Sequence, residues 1–351
     1  MSTKKTIKFL LGCALSAFFL YLAFRNVKFH QLADVFRRIQ YLWTIPFVII
    51  TVYGMYLRAV RWRWILKPRY TFSSRRLFPS LIIGFALNSL LPLRAGEFAR
   101  PFVLSRREKI PYSTILATVV VERIIDGITL LFCFMIVLLF VQIDPDLEMT
   151  FGKYTVTGDM LGQLSRKSSL VLLVLLLGAV SLIVNPVRRI YAAIIDRLPL
   201  LGVSMKEKLK GILEGFSHGF HSLRDVRLTA VIFLYSIVIW ALVGFSLQVM
   251  AWGFPGLEMN FYHGMAVMII ICIAIMIPAA PGYWGLYECG AIFALMALGL
   301  AGMTDEGNAM ALGFSLVIHT LQIIPIVIIG IFFILKENIS LSQIEKMAKK
   351  E

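Results

Sequence analysis

Charge is scarce in this sequence. Only 16% of its 351 residues are Asp, Glu, Lys or Arg, while 59% are hydrophobic. A soluble domain of this size carries about 25% charged residues, so an ordinary soluble enzyme is excluded. Cysteine is scarce too. Cys13, Cys133, Cys272 and Cys289 all fall in apolar segments at no metal-ligand spacing, which predicts buried free thiols. The histidines, His30, His218, His221, His263 and His319, are not spaced as ligands either. No metal site and no cofactor is expected. The apolar runs do not alternate with polar residues, which argues against a transmembrane β-barrel. No segment between them is long enough for a soluble catalytic domain.

What the chain does have is long apolar runs, near 7–24, 42–58, 77–92, 113–141, 168–184, 228–250, 261–278, 284–301 and 309–335. Several approach the roughly 20 residues that cross a bilayer. They predict an all-α polytopic membrane protein of about eight transmembrane helices or helix pairs, in one transmembrane domain over 1–351. The first run follows Lys4 and Lys5 without a clear cleavage site and reads as a retained helix. The net charge of +15 then means basic cytoplasmic loops and attraction to anionic lipid. It does not point to nucleic acid.

The basic residues set an orientation. With the N-terminus cytoplasmic, segments 1–8, 58–76, 94–109, 185–227 and 336–351 lie inside and hold 27 of the 35 Lys and Arg; the outer segments hold 7. That bias predicts both termini in the cytoplasm. In this frame 77–109 leaves and returns on the inner side, with its break at Pro92. Residues 261–301 do the same from outside, with breaks at Pro278, Pro281, Gly282 and Gly285. The expectation is two opposed broken or re-entrant hairpins, as an inverted repeat would produce. Breaks at membrane depth need protein or water to satisfy the freed backbone. Segment 185–227 carries Ile and Leu at helical spacing between Arg and Lys. It reads either as amphipathic helices on the inner leaflet or as a solvated connector.

Ionisable residues inside spans are costly and usually face a partner or a cavity. Arg94, Glu97 and Arg100 follow the first break, with Gly96 among them. Glu122, Arg123 and Asp126 lie in "VVVERIIDGITL", where Glu122 and Asp126 are one helical turn apart. Glu288 follows the second break, beside Tyr283, Trp284 and Tyr287, which read as a headgroup path or as interfacial anchors. His319 with Gln322 is a further cavity candidate; His218 and His221 read as surface residues. Two readings of the charges stay open. In one they are structural glue, Arg94 and Arg123 pairing with Glu97 and Asp126. In the other they line a polar cavity where Arg94 and Arg100 meet phosphate oxygens and Glu97 holds one of them in place. There Glu97, Glu122, Asp126 and Glu288 would serve a cationic headgroup or a coupling proton.

The stretch "PLRAGEFARPFVLSRREKIPYSTILATVVVERIIDG" (92–127) resembles the signature of the lysylphosphatidylglycerol synthase transmembrane-region family, described as flippase-like. The matching positions are Pro92, Arg94, Gly96, Glu97, Arg100, Glu122, Arg123 and Asp126. A second signature matches Pro278, Pro281, Gly282, Gly285 and Glu288. The resemblance implies a lipid-handling protein of the plasma (bacterial inner) membrane. In the family's synthases a separate C-terminal domain transfers the aminoacyl group. Only 16 residues follow Leu335 here, so that activity is not expected of this chain.

The leading expectation is a lipid flippase or transporter, moving an anionic, aminoacylated or isoprenoid-linked lipid between leaflets. Its partners would be membrane phospholipids or isoprenoid-linked lipids, with a separate synthase or glycosyltransferase. The alternatives are a membrane enzyme and a non-catalytic subunit in lipid-linked sugar or phospholipid modification. "DPDLE" (144–148) supplies acids for an enzyme, but the charge bias puts it outside, where it reads as a solvated loop.

Overall fold

The computed structural model describes residues 3–25, 27–91, 95–140, 148–151, 154–157, 160, 163, 177, 225–276, 281–302 and 304–337. Its described helices are α1 (Thr3–Phe24), α2 (Phe29–Arg38), α3 (Thr44–Leu66), α4 (Ser74–Leu90), α5 (Gly96–Glu108) and α6 (Tyr112–Phe140), then α7 (Val226–Ala251), α8 (Phe261–Ala274), α9 (Leu286–Ala297) and α10 (Asp305–Lys336). Among the described residues, α3 with the turn before it, α6, α7 and α10 are long and apolar enough to cross a membrane; α8 and the apolar part of α1 are shorter. Beside these helices, the described residues include a small antiparallel ribbon, β1 (Glu148–Phe151) with β2 (Tyr154–Thr157).

Helix starts follow local chemistry. Ser73, Asp225, Asn260 and Thr304 each accept a backbone N–H of the first turn, capping α4, α7, α8 and α10. Lys109 closes α5 in the left-handed conformation, φ 56°. Pro111 then precedes α6.

Two pairs of short helices position the site. α4 and α5 run antiparallel, with Gly84 and Gly96 in backbone contact near the tip. At the open end Arg76 pairs with Glu108 at 2.7 Å, and Arg107 reaches Glu337 beyond α10 at 3.1 Å. Burial alone would push the Glu108 carboxyl up; the hydrogen bonds and charges of Arg76 and Arg107 outweigh it and hold the carboxyl below its ordinary value. α8 and α9 form the second pair, with Gly290 seated on Ala274 and Ile271. The opposite end of the molecule carries Lys28–Asp305 at 2.6 Å, next to the start of α10. The pairs therefore open on opposite ends. Their tips meet where Gly282 lies against the Ser89 carbonyl.

Several boundaries differ from the sequence expectation. α3 continues through 58–66, part of the expected inner segment 58–76, because Leu57, Ala59, Trp62, Ile65 and Leu66 keep an apolar face along it. Segment 94–109 is likewise largely the helix α5, with Ala99, Val103 and Leu104 buried. Segment 25–41, which follows the first apolar run and lies outside in the frame set by the basic residues, contains amphipathic α2, whose Leu32 is buried. The expected span 168–184, the segment 185–224, His218 and His221 lie outside the described residues apart from Leu177, as does "DPDLE" before Glu148.

Candidate functional site

α6 places Glu122 and Asp126 on one face, 10 and 14 residues from Tyr112, hence about 15–21 Å along the helix. That is the middle of the 29-residue α6; in α3, Arg61 lies five residues before the end at Leu66. Three arginines converge on the two carboxylates. Arg100 of α5 donates to the two oxygens of Glu122 through its two terminal guanidinium nitrogens, each at 2.9 Å. Arg61 of α3 donates to Asp126 at 2.5 and 3.2 Å, sits 3.3 Å from Glu122 and donates to Ser236 of α7 at 2.7 Å. Arg123 lies 2.7 Å from Glu122 and 3.3 Å from Asp126. Trp240 donates to Asp126 at 3.2 Å. Arg100 also lies over the Trp62 ring at 3.8 Å.

The centre is buried on most sides. Glu122 and Arg61 have no exposed surface, and Arg100 and Asp126 have 2% and 3%. Arg123 is the outlet, with 37% of its side chain exposed. A fourth arginine, Arg58, is one turn before Arg61 and 6% exposed. Its guanidinium lies 5.6 Å from the Phe85 ring centre and 5.1 Å from that of Trp240.

A second buried polar group lies between α9 and α10. Glu288 Oε1 is 2.6 Å from His319 Nδ1, and Oε2 accepts the Gly285 N–H at 2.6 Å. The His319 ring stacks on Tyr287 at 4.0 Å and meets Trp284 at 4.5 Å. Tyr287 donates to Gln322 at 3.0 Å. Glu288 thus ties α10 to the tip of the second pair, where Gly282 and Gly285 take left-handed φ of 72° and 91°.

The sequence candidates sort accordingly. Arg100, Glu122, Arg123 and Asp126 come together. Glu97 sits half-buried in the first turn of α5, close enough for its charge to act on Arg123. Gly96 packs against Gly84 and Asn88 rather than lining open space. Trp284 and Glu288 belong to the second group, so Glu288 does not balance the arginines. Pro281 and Tyr283 form a short 3-10 turn beside it. Pro92, Arg94 and Pro278 lie outside the described residues. Sequence reasoning missed Arg58, Arg61, Ser236 and Trp240. The signal for the first two was their i, i+3 spacing on a face that continues the preceding apolar run.

Fold and site together define a polytopic helical membrane protein with a buried arginine–carboxylate centre midway along α6. Comparison with known proteins makes the assignment specific: the chain belongs to the family described as the lysylphosphatidylglycerol synthase TM region, whose model matches residues 9–330. It is 25% identical over 311 residues to "Glycosyltransferase AglD" of Haloferax volcanii, covering 84% of this chain and 49% of that protein. It is 32% identical over 91 residues to "UPF0104 membrane protein MJ1595" of Methanocaldococcus jannaschii, covering 25% of this chain and 27% of that protein. The chain spans about half or less of the length of these relatives. No solved structure matches it.

Proposed function

We propose that the protein moves a lipid with an anionic or modified headgroup between the leaflets of the plasma membrane. The observation that carries this reading is the buried charged centre midway along α6, packed beside two short helical pairs whose tips meet. In membrane terms α4–α5 and α8–α9 are re-entrant hairpins entering from opposite leaflets. A headgroup passing between them exchanges water for fixed charges while its chains stay in lipid. The end holding Lys67, Arg69, Arg75, Arg76, Arg106, Arg107 and Lys109 is the cytoplasmic one, and both termini belong to it. Phospholipids or isoprenoid-linked lipids are the partners, supplied by a separate synthase or glycosyltransferase.

A second reading is favoured by the name of the relative AglD: a membrane enzyme, or the non-catalytic partner of one, acting on lipid-linked sugars. Reconstitution separates the readings. Vesicles containing the purified chain and fluorescent phosphatidylglycerol or a fluorescent prenyl phosphate are treated with an impermeant quencher. Transport predicts quenching of the inner-leaflet pool beyond protein-free vesicles. A new lipid product made from a sugar nucleotide identifies an enzyme, and neither result leaves a partner subunit.

A further inference from the structure

Among the described residues, the buried centre does not balance. Four guanidinium groups, Arg58, Arg61, Arg100 and Arg123, share it with two carboxylates, Glu122 and Asp126. Counting half-buried Glu97 still leaves positive charge over. Arginine does not shed its proton in proteins, so the excess persists, and a dry site tolerates it poorly without an anion.

The excess is localised. Arg61, Arg100 and Arg123 each hold carboxylate oxygens within 3.3 Å. Arg58 holds none. Among the described residues it makes no hydrogen bond and no ion pair, its Nε is buried without a partner, and its guanidinium is faced by two rings. We propose that Arg58 anchors a binding site for a phosphate-class oxyanion, formed where α3, α4 and α7 meet. The inference rests on the transport reading to the extent that the oxyanion is then the lipid's headgroup.

The chemistry fits that class. A guanidinium fork offers parallel N–H donors to two oxygens of one phosphate. Trp240 is tethered to Asp126, whereas Phe85 is held by packing alone, so Phe85 is the ring that gives way when the anion arrives. The same excess repels a cationic headgroup, which would add to the surplus.

The test is thermal unfolding of the purified chain in phosphatidylcholine nanodiscs, alone and with one of three additions. These are phosphatidic acid in the disc, a trimethylammonium lipid in the disc, and inorganic phosphate in solution. Phosphatidic acid is expected to raise the wild-type midpoint by several degrees and the cationic lipid to leave it unchanged. Arg58→Gln is expected to abolish that rise and to be at least as stable as wild type without ligand, because it removes an uncompensated charge. Arg75→Gln, at an exposed arginine, keeps the full rise. A rise with inorganic phosphate but not with the lipid supports the site and removes the lipid-transport reading. Equal rises in wild type and Arg58→Gln overturn the site, as does a ligand-free Arg58→Gln protein less stable than wild type, which marks Arg58 as a structural arginine.

Discussion

Removing the Glu122 carboxylate takes an oxygen partner from Arg61, Arg100 and Arg123 at once. Glu122→Gln should therefore destabilise the protein by about 3–5 kcal/mol, the cost of stranding buried charge. Adding Arg100→Met should recover part of the loss, since the pair is coupled; unfolding of the three variants in detergent measures both effects. At the second group the comparison is between Glu288→Gln and Glu288→Ala. The amide still accepts the Gly285 N–H, whereas alanine frees both that N–H and His319. The alanine variant should unfold at a clearly lower temperature than the glutamine variant. At this scale the sequence was half legible. Charges inside apolar runs announce themselves, so Glu122, Arg123 and Asp126 stood out. Arg58 and Arg61 sit in "RAVRWRW", where basic residues crowd the end of a run and read as its exit. Which acid meets which base depends on helix packing, and so the separation of Glu288 from the arginines was not visible.

The α4–α5 pair depends on close approach of two helices, which makes glycine replacements there unequal. A Cβ at Gly96 would run into the Gly84 carbonyl and the Asn88 backbone, whereas a Cβ at Gly54 of α3 would meet nothing within 4 Å. Gly96→Ala should prise the pair apart and cost folded yield. Gly54→Ala should stabilise by about 0.5–1 kcal/mol, as expected for a helix interior. Thermal unfolding and size-exclusion recovery report both. At the open end of the pair, the Glu108 carboxyl lies below its ordinary value in the folded state. Its contribution is thus present above the unfolded carboxylate range, near pH 4, and is lost as pH falls through the lower folded value. Glu108→Gln should flatten the acid limb of the stability profile relative to wild type. The helices themselves were largely legible, because continuous apolar runs leave few alternatives. α5 and α2 were less so: polar, amphipathic segments look like loops until the surface that buries one face is known.

For the molecule as a whole, the basic end and the near-balanced opposite end give a labelling pattern. With native cysteines replaced, Lys109→Cys should react with an impermeant maleimide only from the cytoplasmic side, and Glu258→Cys only from outside. Reaction of both from one side would undo the opposed arrangement of the two pairs. The lengths of the helices carry a further consequence. α6 and α10 have 29 and 32 residues, whereas α5, α8 and α9 have 13, 14 and 12. At 1.5 Å per residue the short ones reach only about 18–21 Å, well under the roughly 30 Å of hydrocarbon. Long helices meet that thickness by tilting. Two short pairs that open on opposite ends and touch at their tips meet it jointly, one from each side. The joint between them is then held by tip contacts such as that of Gly282 with the Ser89 carbonyl, and not by continuous backbone. On the transport reading, that joint is where the wall beside the charged centre can part without a helix being broken.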